Sequence, residues 1–378
     1  MNIITPRDEE QRLKRVVEGR DDAEAVRIKR YLGMPDLSRT VGSPLHTMVE
    51  RVKAVTTLQG FDDINIPEIV PASVSFDLFG FPPDHPARST SDTYYIDDDN
   101  ILRTHDTVFW YYYPQSEEIK KKIENKEPLG TVCYGKVYRK DEIDRHHMNV
   151  FHQFGAWYLL PNDGDRTLTV EDLKNVLSEI VKSIFGEQVE YRFNEDTFPY
   201  TDPSLEVEVK IKGEWIEILG SGMVKKEVLN NFGLGDYHGW AFGFGLERLA
   251  IISMELPDIR LLWSDDERVK KQLVLGQKFE EVSKYPPVLR DISFIVSKDF
   301  IPNNYFDMVR DVVGDDLVEE VELLDKYEND EKFGADKMSY AFRITYRSLE
   351  RTLTGEEVDT LHSALEEATV KNFNAQVR

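Results

Sequence analysis

The sequence predicts an α+β fold: a large antiparallel sheet with flanking helices, followed by a smaller unit in which strands and helices alternate. Three observations predict it. Between Pro44 and about Arg260, apolar strand-like segments outnumber helical ones, and several adjoin through short turns. A polar stretch from Ser264 to Ser283 carries the charge run DDERVKK and leads to the Pro286-Pro287 pair, the composition of a domain boundary. Beyond it the pattern reads β-α-β-β-α with a brief last strand. The chain thus divides into a charged extension over residues 1–40, a body over 41–280 and a terminal unit over 281–378.

Taken in order, residues 1–40 mix both charge signs with few apolar residues at helical spacing, which predicts a short exposed helix or frayed arm. The body opens with the amphipathic helix LHTMVERVKAVTTLQG. Strands follow in YYI, TVCYGKVYR, AWYLL, SLEVEVKI and EWIEILG, with one helix in EDLKNVLSEIVKSIFG. In the terminal unit, VLRDISFIV, NNYFDMVRDVV, LVEEVELLDKY, SYAFRITYR, GEEVDTLHSALEEATVKNF and NAQVR make up a ferredoxin-like split βαβ arrangement.

Composition narrows the function. A chain of 378 residues buries a full core without staples. The single cysteine, Cys133, excludes an intramolecular disulfide framework and a CxxC zinc cluster; it reads as a small buried hydrophobe in a reducing compartment. No apolar run approaches the roughly 18 to 20 residues of a membrane span, so no membrane partner is expected. The first 30 residues hold no apolar signal core and no Arg-rich, acid-poor presequence, so a cytoplasmic protein is expected. The net charge of -23 argues against loose adhesion to nucleic acid, so any RNA contact must rest on locally concentrated cations.

Three segments carry candidate chemistry. In YGKVYRKDEIDRHHMNVFHQ, residues 134–153, a strand ends in Arg139, a polar loop holds Asp141, Asp144 and His147, and a second strand enters through Phe151. A strand-borne guanidinium offers a planar fork to phosphate or carboxylate, and an aromatic beside it stacks on a nucleobase. In GWAFGFGLERLAI, residues 239–251, Gly239, Gly243 and Gly245 interrupt an apolar strand where a ligand or another backbone must come close. Arg248 then stands at a helix start, where a cation is disfavoured unless it meets an anionic or aromatic partner. The third group joins LRTHDTVFW, FPYTDPSLEVEV and EWIEILGSGMV. It offers His105 and Thr107 as small polar groups, Phe198 and Tyr200 as aromatic walls, Gly220 and Gly222 as bare positions, and Glu206, Glu208 and Glu217 as carboxylates. Taken singly, each segment also reads as a solvated hairpin or packed core.

In this order the segments resemble motifs 2 and 3 of class II aminoacyl-tRNA synthetases, and more closely the phenylalanyl-tRNA synthetase family. That family's strand Arg, D-x-x-H loop and F-H-Q correspond to Arg139, Asp144 to His147, and Phe151 to Gln153. FPYTDPSLE, GSGM and DHPARSTSDTYYI resemble further family elements. SKYPPVLRDISF and ITYRSLERTLT look like the ferredoxin-fold anticodon-binding domain of its single-chain, organellar-type members, so the resemblance covers about residues 42–378.

The resemblance implies a class II antiparallel sheet and a ligase that activates phenylalanine with ATP, then passes it to tRNA(Phe). By similarity, Arg139 grips the α-phosphate and the amino acid carboxylate, while Phe151 and Arg248 sandwich the adenine. Asp141 and His147 touch the nucleotide, and Glu217, with Glu206, holds Mg²⁺ beside ATP. The amino acid is expected against His105, Asp106, Thr107, Gln153, Phe198, Tyr200, Gly220, Gly222, Ala241 and Gly243. Period-two alternation sets Arg343 and Arg347 on one strand face, and with Arg351 they are expected to meet tRNA, although residues 284–378 hold 12 Lys or Arg against 20 Asp or Glu. A monomer without a second subunit type is expected.

The chain departs from the family at three places. Where F-H-Q-x-E supplies a glutamate to the substrate amino group, Gly155 stands here, and Asp106 is expected to replace the lost charge if its side chain turns inward. Trp110 replaces a glutamine, and Tyr200 stands where many members have Phe. Two other functions fit the same segments: a paralogue adenylating a different aromatic or modified amino acid, and a non-catalytic RNA-binding protein on a synthetase fold.

Overall fold

In the computed structural model, which describes residues 1–140, 145–314 and 317–378, the backbone folds as two units, Met1–Phe279 and Glu280–Arg378. The strands of the first unit are β1 (Asn2–Ile4), β2 (Asp62–Asn65), β3 (Ile69–Pro71), β4 (Asn100–Leu102), β5 (Leu129–Tyr138), β6 (Val150–Pro161), β7 (Tyr191–Asp196), β8 (Thr201–Ile211), β9 (Glu214–Val224) and β10 (Tyr237–Gly245). Eight of them form one sheet in the order β1-β2-β5-β6-β10-β9-β8-β7, and β3 pairs with β4. The pairings β1/β2 and β2/β5 are parallel, so the sheet is mixed at one side and antiparallel through its centre. The segment YYI, expected as a strand, contributes only an isolated bridge between Tyr95 and Ile101.

Helix formation follows apolar spacing. Val170–Phe185 buries Leu173, Val176, Leu177, Ile180, Val181 and Ile184 at intervals of one, three and four residues, and a capping box between Thr169 and Asp172 satisfies its first turn. It packs on β9, β10 and helix Pro44–Lys53. A second layer, built from Phe76, Phe79, Phe109, Trp110, Tyr113 and Trp157, closes the other core cluster.

The N-terminal residues differ from expectation. Helices Asp8–Glu18 and Ala23–Gly33 bury Leu13, Val17, Ala25, Ile28 and Tyr31 against Ile69, Tyr94, Leu102 and Tyr138, so they belong to the folded body rather than to a frayed arm. The apolar stripe is narrow and lies among charges, which hides it in the sequence. Lys136, 4% exposed on β5, anchors the second helix. Its Nζ donates to the carbonyls of Leu32 and Met34 at 3.0 and 2.8 Å and meets Glu68 Oε1 at 3.0 Å. A cation at a helix C-terminus answers both the open carbonyls and the dipole. Lys136→Met strands these acceptors and is expected to cost about 2 kcal/mol in chemical denaturation, with faster proteolysis within residues 1–33.

The second unit contains β11 (Val288–Ser297), helix Pro302–Val313, β12 (Val318–Tyr327), β13 (Lys337–Tyr346), helix Gly355–Phe373 and β14 (Gln376–Val377). Its sheet runs β12-β13-β11-β14, all antiparallel, which is the ferredoxin-like arrangement. Phe342, Ile344 and Tyr346 are fully buried on one face of β13. On the other face the expected cationic stripe is balanced. Arg343 holds Asp291 through Nε and Nη2 at 2.8 and 2.9 Å, and Arg351 pairs with Glu357. Arg347 bonds Glu319 and the carbonyl of Tyr285. Asp291 and Glu319 on neighbouring strands, invisible to a count along one strand, balance Arg343 and Arg347, while Glu357 on the last helix balances Arg351 beyond the strand.

Candidate active site

Residues paired in register, or two apart along a strand, share a face of the sheet. By this rule Arg139, just past β5, opens on the same face as Phe151, Gln153 and Gly155 of β6, because Val137 pairs with Phe151 and Cys133 with Gly155. Gly155 pairs with Gly243 of β10, and Gly243 with Gly220 of β9. Three adjacent strands therefore lay three bare positions side by side; Gly220 and Gly243 lie in the floor of a cleft of about 1220 Å³, and the Asp106 carboxyl covers Gly155.

The cleft is lined by His105, Asp106, Thr107, Arg139, His147, Phe151, Gln153, Phe198, Tyr200, Glu217, Gly220, Ala241, Gly243 and Arg248, which the sequence places far apart. Two expected members lie elsewhere. A Cβ at Gly222 would strike Thr201 Cβ at 2.5 Å and the Pro203 carbonyl oxygen at 2.7 Å, so its bareness serves the close approach of a neighbouring chain segment. Glu206 is absent from the lining; its Oε1 accepts from Asn194 Nδ2 at 3.0 Å, and Glu208 is the register neighbour of Glu217. Asp141, with Asp144, lies outside the described residues.

The two guanidinium groups reach the cleft from different elements. Arg139 Nε donates to the Thr104 carbonyl at 3.0 Å, and its Cζ lies 5.3 Å from the Phe151 ring centroid. Arg248, in the first turn of helix Leu246–Met254, is exposed to the cleft, and no hydrogen bond or ion pair holds its side chain among the described residues. Its neighbour Glu247 is buried. Glu247 Oε2 accepts the His152 backbone N–H at 2.8 Å, its Oε1 lies 2.6 Å from His152 Nδ1, and His152 Nε2 accepts the Leu37 N–H at 2.9 Å. Since Nε2 is an acceptor, the ring proton sits on Nδ1 and faces Glu247. This chain of bonds fixes the helix start that carries Arg248.

The other end of the cleft is aromatic. Phe198 stacks on Tyr200 at 5.9 Å and 9°, and a Cβ at Gly220 would stand 2.7 Å from Phe198 Cζ, so the glycine admits that ring. Trp110 lies edge-on to Tyr200 at 5.9 Å and 5.1 Å from Trp157, with Phe79 and Phe232 behind. Trp110 and Phe81, which also line the cleft, were not expected as site residues; the aromatic run FDLFGF and the end of THDTVFW were their signals.

Polar groups here are tuned by burial. His105 is pulled down to about 4 chiefly by burial, against the pull of the Ser75 carbonyl, so the ring is neutral at neutral pH. Its Nε2 donates to that carbonyl at 2.9 Å, and Nδ1 is a buried acceptor without a partner among the described residues. Tyr200 is pushed up to about 12 by burial first and by the nearby Asp106 charge second. The Cys133 thiol, fully buried on β5 beside Gly155, is raised to about 12 by burial, so it is an inert packing group.

Such a site can hold an anionic group between two guanidinium forks, a planar base against Phe151, and a flat apolar ring in the aromatic end. Four carboxylates line the cleft, those of Asp106, Glu217, Glu247 and Glu255, with Glu247 committed to His152, and the described residues contain no group of three or more His, Cys, Asp or Glu able to hold an ion. This suits an ion that keeps most of its ligands from phosphates and water.

Comparison with known proteins agrees with the geometry. Residues 32–273 match the family described as tRNA synthetases class II core domain (F), and residues 283–378 match the ferredoxin-fold anticodon binding domain. The chloroplastic/mitochondrial phenylalanine-tRNA ligase of Arabidopsis thaliana is 41% identical over 334 residues, covering 86% of this chain and 71% of that protein. The mitochondrial phenylalanine-tRNA ligase of Mus musculus is 38% identical over 349 residues, 83% of this chain and 74% of its own. The phenylalanine-tRNA ligase alpha subunit of Caldicellulosiruptor saccharolyticus is 35% identical over 282 residues, 70% and 76%. The names of the first two correct the expected cytoplasmic location: the kinship is with organellar proteins.

Proposed function

This chain belongs to the phenylalanine-tRNA ligases of the class II tRNA synthetase family, and we infer from that membership that it activates phenylalanine with ATP and transfers the phenylalanyl group to tRNA(Phe). The observation that carries the reading is the single cleft in which Arg139, Phe151 and Arg248, from three separate elements, surround a glycine floor that ends in an aromatic box.

In the first step a phenylalanine carboxylate oxygen forms a bond to the α-phosphorus of ATP, and the bond to the bridging oxygen breaks to release pyrophosphate. Arg139 is assigned to the α-phosphate and the carboxylate, holding both in line and neutralising the charge that builds at phosphorus. Phe151 and Arg248 take the two faces of the adenine, and His147 stands at the nucleotide edge of the cleft. The phenyl ring enters between Phe198, Tyr200 and Ala241, with Thr107, Gln153, Gly220 and Gly243 around the α-carbon. In the second step a hydroxyl of the tRNA terminal adenosine attacks the acyl carbon, and AMP leaves. Mg²⁺ bound with ATP supplies charge neutralisation on the phosphates. Glu217, which lines the cleft, would hold it; Glu206, absent from the lining, accepts from Asn194.

The terminal unit is assigned to tRNA. Arg343 and Arg351, exposed and paired with Asp291 and Glu357, exchange these carboxylates for RNA phosphates at little cost, since exposed pairs are weak. Arg347, 13% exposed and bonded to the backbone, holds the unit together instead. With core and anticodon-type unit on one chain, the working form is a monomer without a second subunit type.

Amino-acid-dependent exchange of pyrophosphate into ATP, run with each of the twenty amino acids, tests the reading. Phenylalanine is expected to dominate, and labelled phenylalanine to become attached to bulk tRNA. Dominant exchange with another amino acid, or none at all, would contradict it.

A further inference from the structure

Asp106 and Gly155 meet at one point of the cleft. Asp106 opens the short turn Asp106–Val108 and is 3% exposed. Its backbone N–H donates to Gln153 Oε1 at 2.9 Å, which ties it to β6. Its Oδ2 is buried without a hydrogen-bond partner among the described residues. Gly155 and Gly243, paired with each other across β6 and β10, lie beneath it. A Cβ at position 155 would overlap Asp106 Oδ2 and stand 3.0 Å from its Cγ, while one at 243 would stand 3.8 Å from Oδ1. The carboxyl group thus fills the volume that a side chain at 155 would need.

A buried carboxylate oxygen lacking a donor is costly unless a partner arrives. Arg103, Arg139, His105, Tyr200 and Cys133 are the titratable or charged groups around it. Arg103 is turned to backbone carbonyls, donating from Nε to Lys136 at 2.7 Å, and His105 is neutral. Phenylalanine carries one cationic group, its α-ammonium.

We propose that Asp106 receives the α-ammonium of phenylalanine and that Gly155 is bare in order to admit it, so that positions 106 and 155 share one carboxylate site which either can fill but not both. The proposal rests on the reading of this cleft as the phenylalanine-activating site, and it names the group that selects an amino acid over the corresponding acid. In the empty cleft, burial pushes the Asp106 carboxyl up to about 7, against the attraction of Arg103 and Arg139. A raised carboxyl is protonated below that value, so capture of the ammonium weakens as pH falls through it.

The full-length protein tests this in pyrophosphate exchange. Asp106→Asn, nearly equal in size, is expected to raise the KM for phenylalanine by about 10- to 100-fold while the KM for ATP moves less than about twofold. Competition by 3-phenylpropanoate, which lacks the ammonium, is expected to be equal in parent and variant. The acid limb of kcat/KM for phenylalanine near pH 7 disappears in Asp106→Asn. Moving the carboxylate across, Asp106→Ser/Gly155→Glu recovers about tenfold or more over Asp106→Ser alone, whereas Gly155→Glu in the parent crowds two carboxylates into one place and loses phenylalanine activation. Equal rises in both KM values, or a matching loss of 3-phenylpropanoate binding, would make Asp106 a structural residue and overturn the proposal. An active parent with an indifferent Asp106→Asn overturns the assignment alone; a parent that exchanges nothing with phenylalanine overturns the functional reading and the assignment with it.

Discussion

Replacing Arg139 by alanine lowers kcat for phenylalanine-dependent pyrophosphate exchange by about a thousandfold, with the fold intact by circular dichroism. The size follows from where the charge develops. In-line displacement at phosphorus spreads negative charge over oxygens that a water-poor cleft cannot solvate, and a fixed guanidinium meets it without reorganisation. Arg139 is fixed: its Nε donates to the Thr104 carbonyl and its Cζ lies 5.3 Å from the Phe151 ring centroid. Arg139→Lys keeps the charge but loses the fork and the Nε anchor, and is expected to recover only about tenfold of the loss. An Arg139→Ala enzyme within about fivefold of the parent would remove Arg139 from the chemistry.

Glu247→Ala is expected to destabilise the first unit by about 3 to 5 kcal/mol, because it deletes one partner of a buried hydrogen-bonded pair. Glu247 is 3% exposed and His152 fully buried. The variant leaves the His152 backbone N–H and Nδ1–H without acceptors in a place water does not reach. The effect extends to both sides: His152 Nε2 loses its fixed position under the Leu37 N–H, and the ring loosens from Trp263, 5.5 Å away. A melting temperature about 10 °C lower corresponds to this loss in a domain of this size. Because Arg248 follows Glu247 directly at the helix start, the KM for ATP is expected to rise as well. Glu247→Gln, which keeps an acceptor for Nδ1–H, is expected to recover part of both effects. A Glu247→Ala protein that melts within 2 °C of the parent, roughly 1 kcal/mol or less, would show the network to be idle.

Much of this architecture was legible in the sequence where one local rule decides the outcome. Alternation along SYAFRITYR set Arg343 and Arg347 on one face, and the structure buries Phe342, Ile344 and Tyr346 on the other. The Gly-rich strand from Gly239 to Gly245 announced close approaches, and it supplies them in different ways: the Tyr158 carbonyl oxygen at Gly239, Asp106 at Gly243, and open cleft at Gly245. What escaped depends on partners distant along the chain. β1 lies parallel to β2, about sixty residues on, and neither short segment shows a strand pattern. The N-terminal helices needed Lys136 and the surface around Ile69 and Tyr138 before their sparse apolar residues had a place to go. The cationic row at Arg343 and Arg347 was visible, yet Asp291 and Glu319, which balance it, sit on other strands. Glu206 and Gly222 carried the right residue types, but register assigned one to Asn194 and the other to the Thr201–Pro203 segment. Asp106 was legible only as a conditional, since nothing in a sequence says which way a turn residue points; in the structure its carboxyl lies over Gly155.

The most direct test of the central claim is a crystal structure with a non-hydrolysable phenylalanyl-adenylate analogue. The account predicts its phosphate mimic on the guanidinium of Arg139, its adenine between Phe151 and Arg248, and its phenyl ring against Phe198 and Tyr200. An analogue bound with its adenine away from Phe151 and Arg248, or with Arg139 turned from the phosphate position, would contradict it.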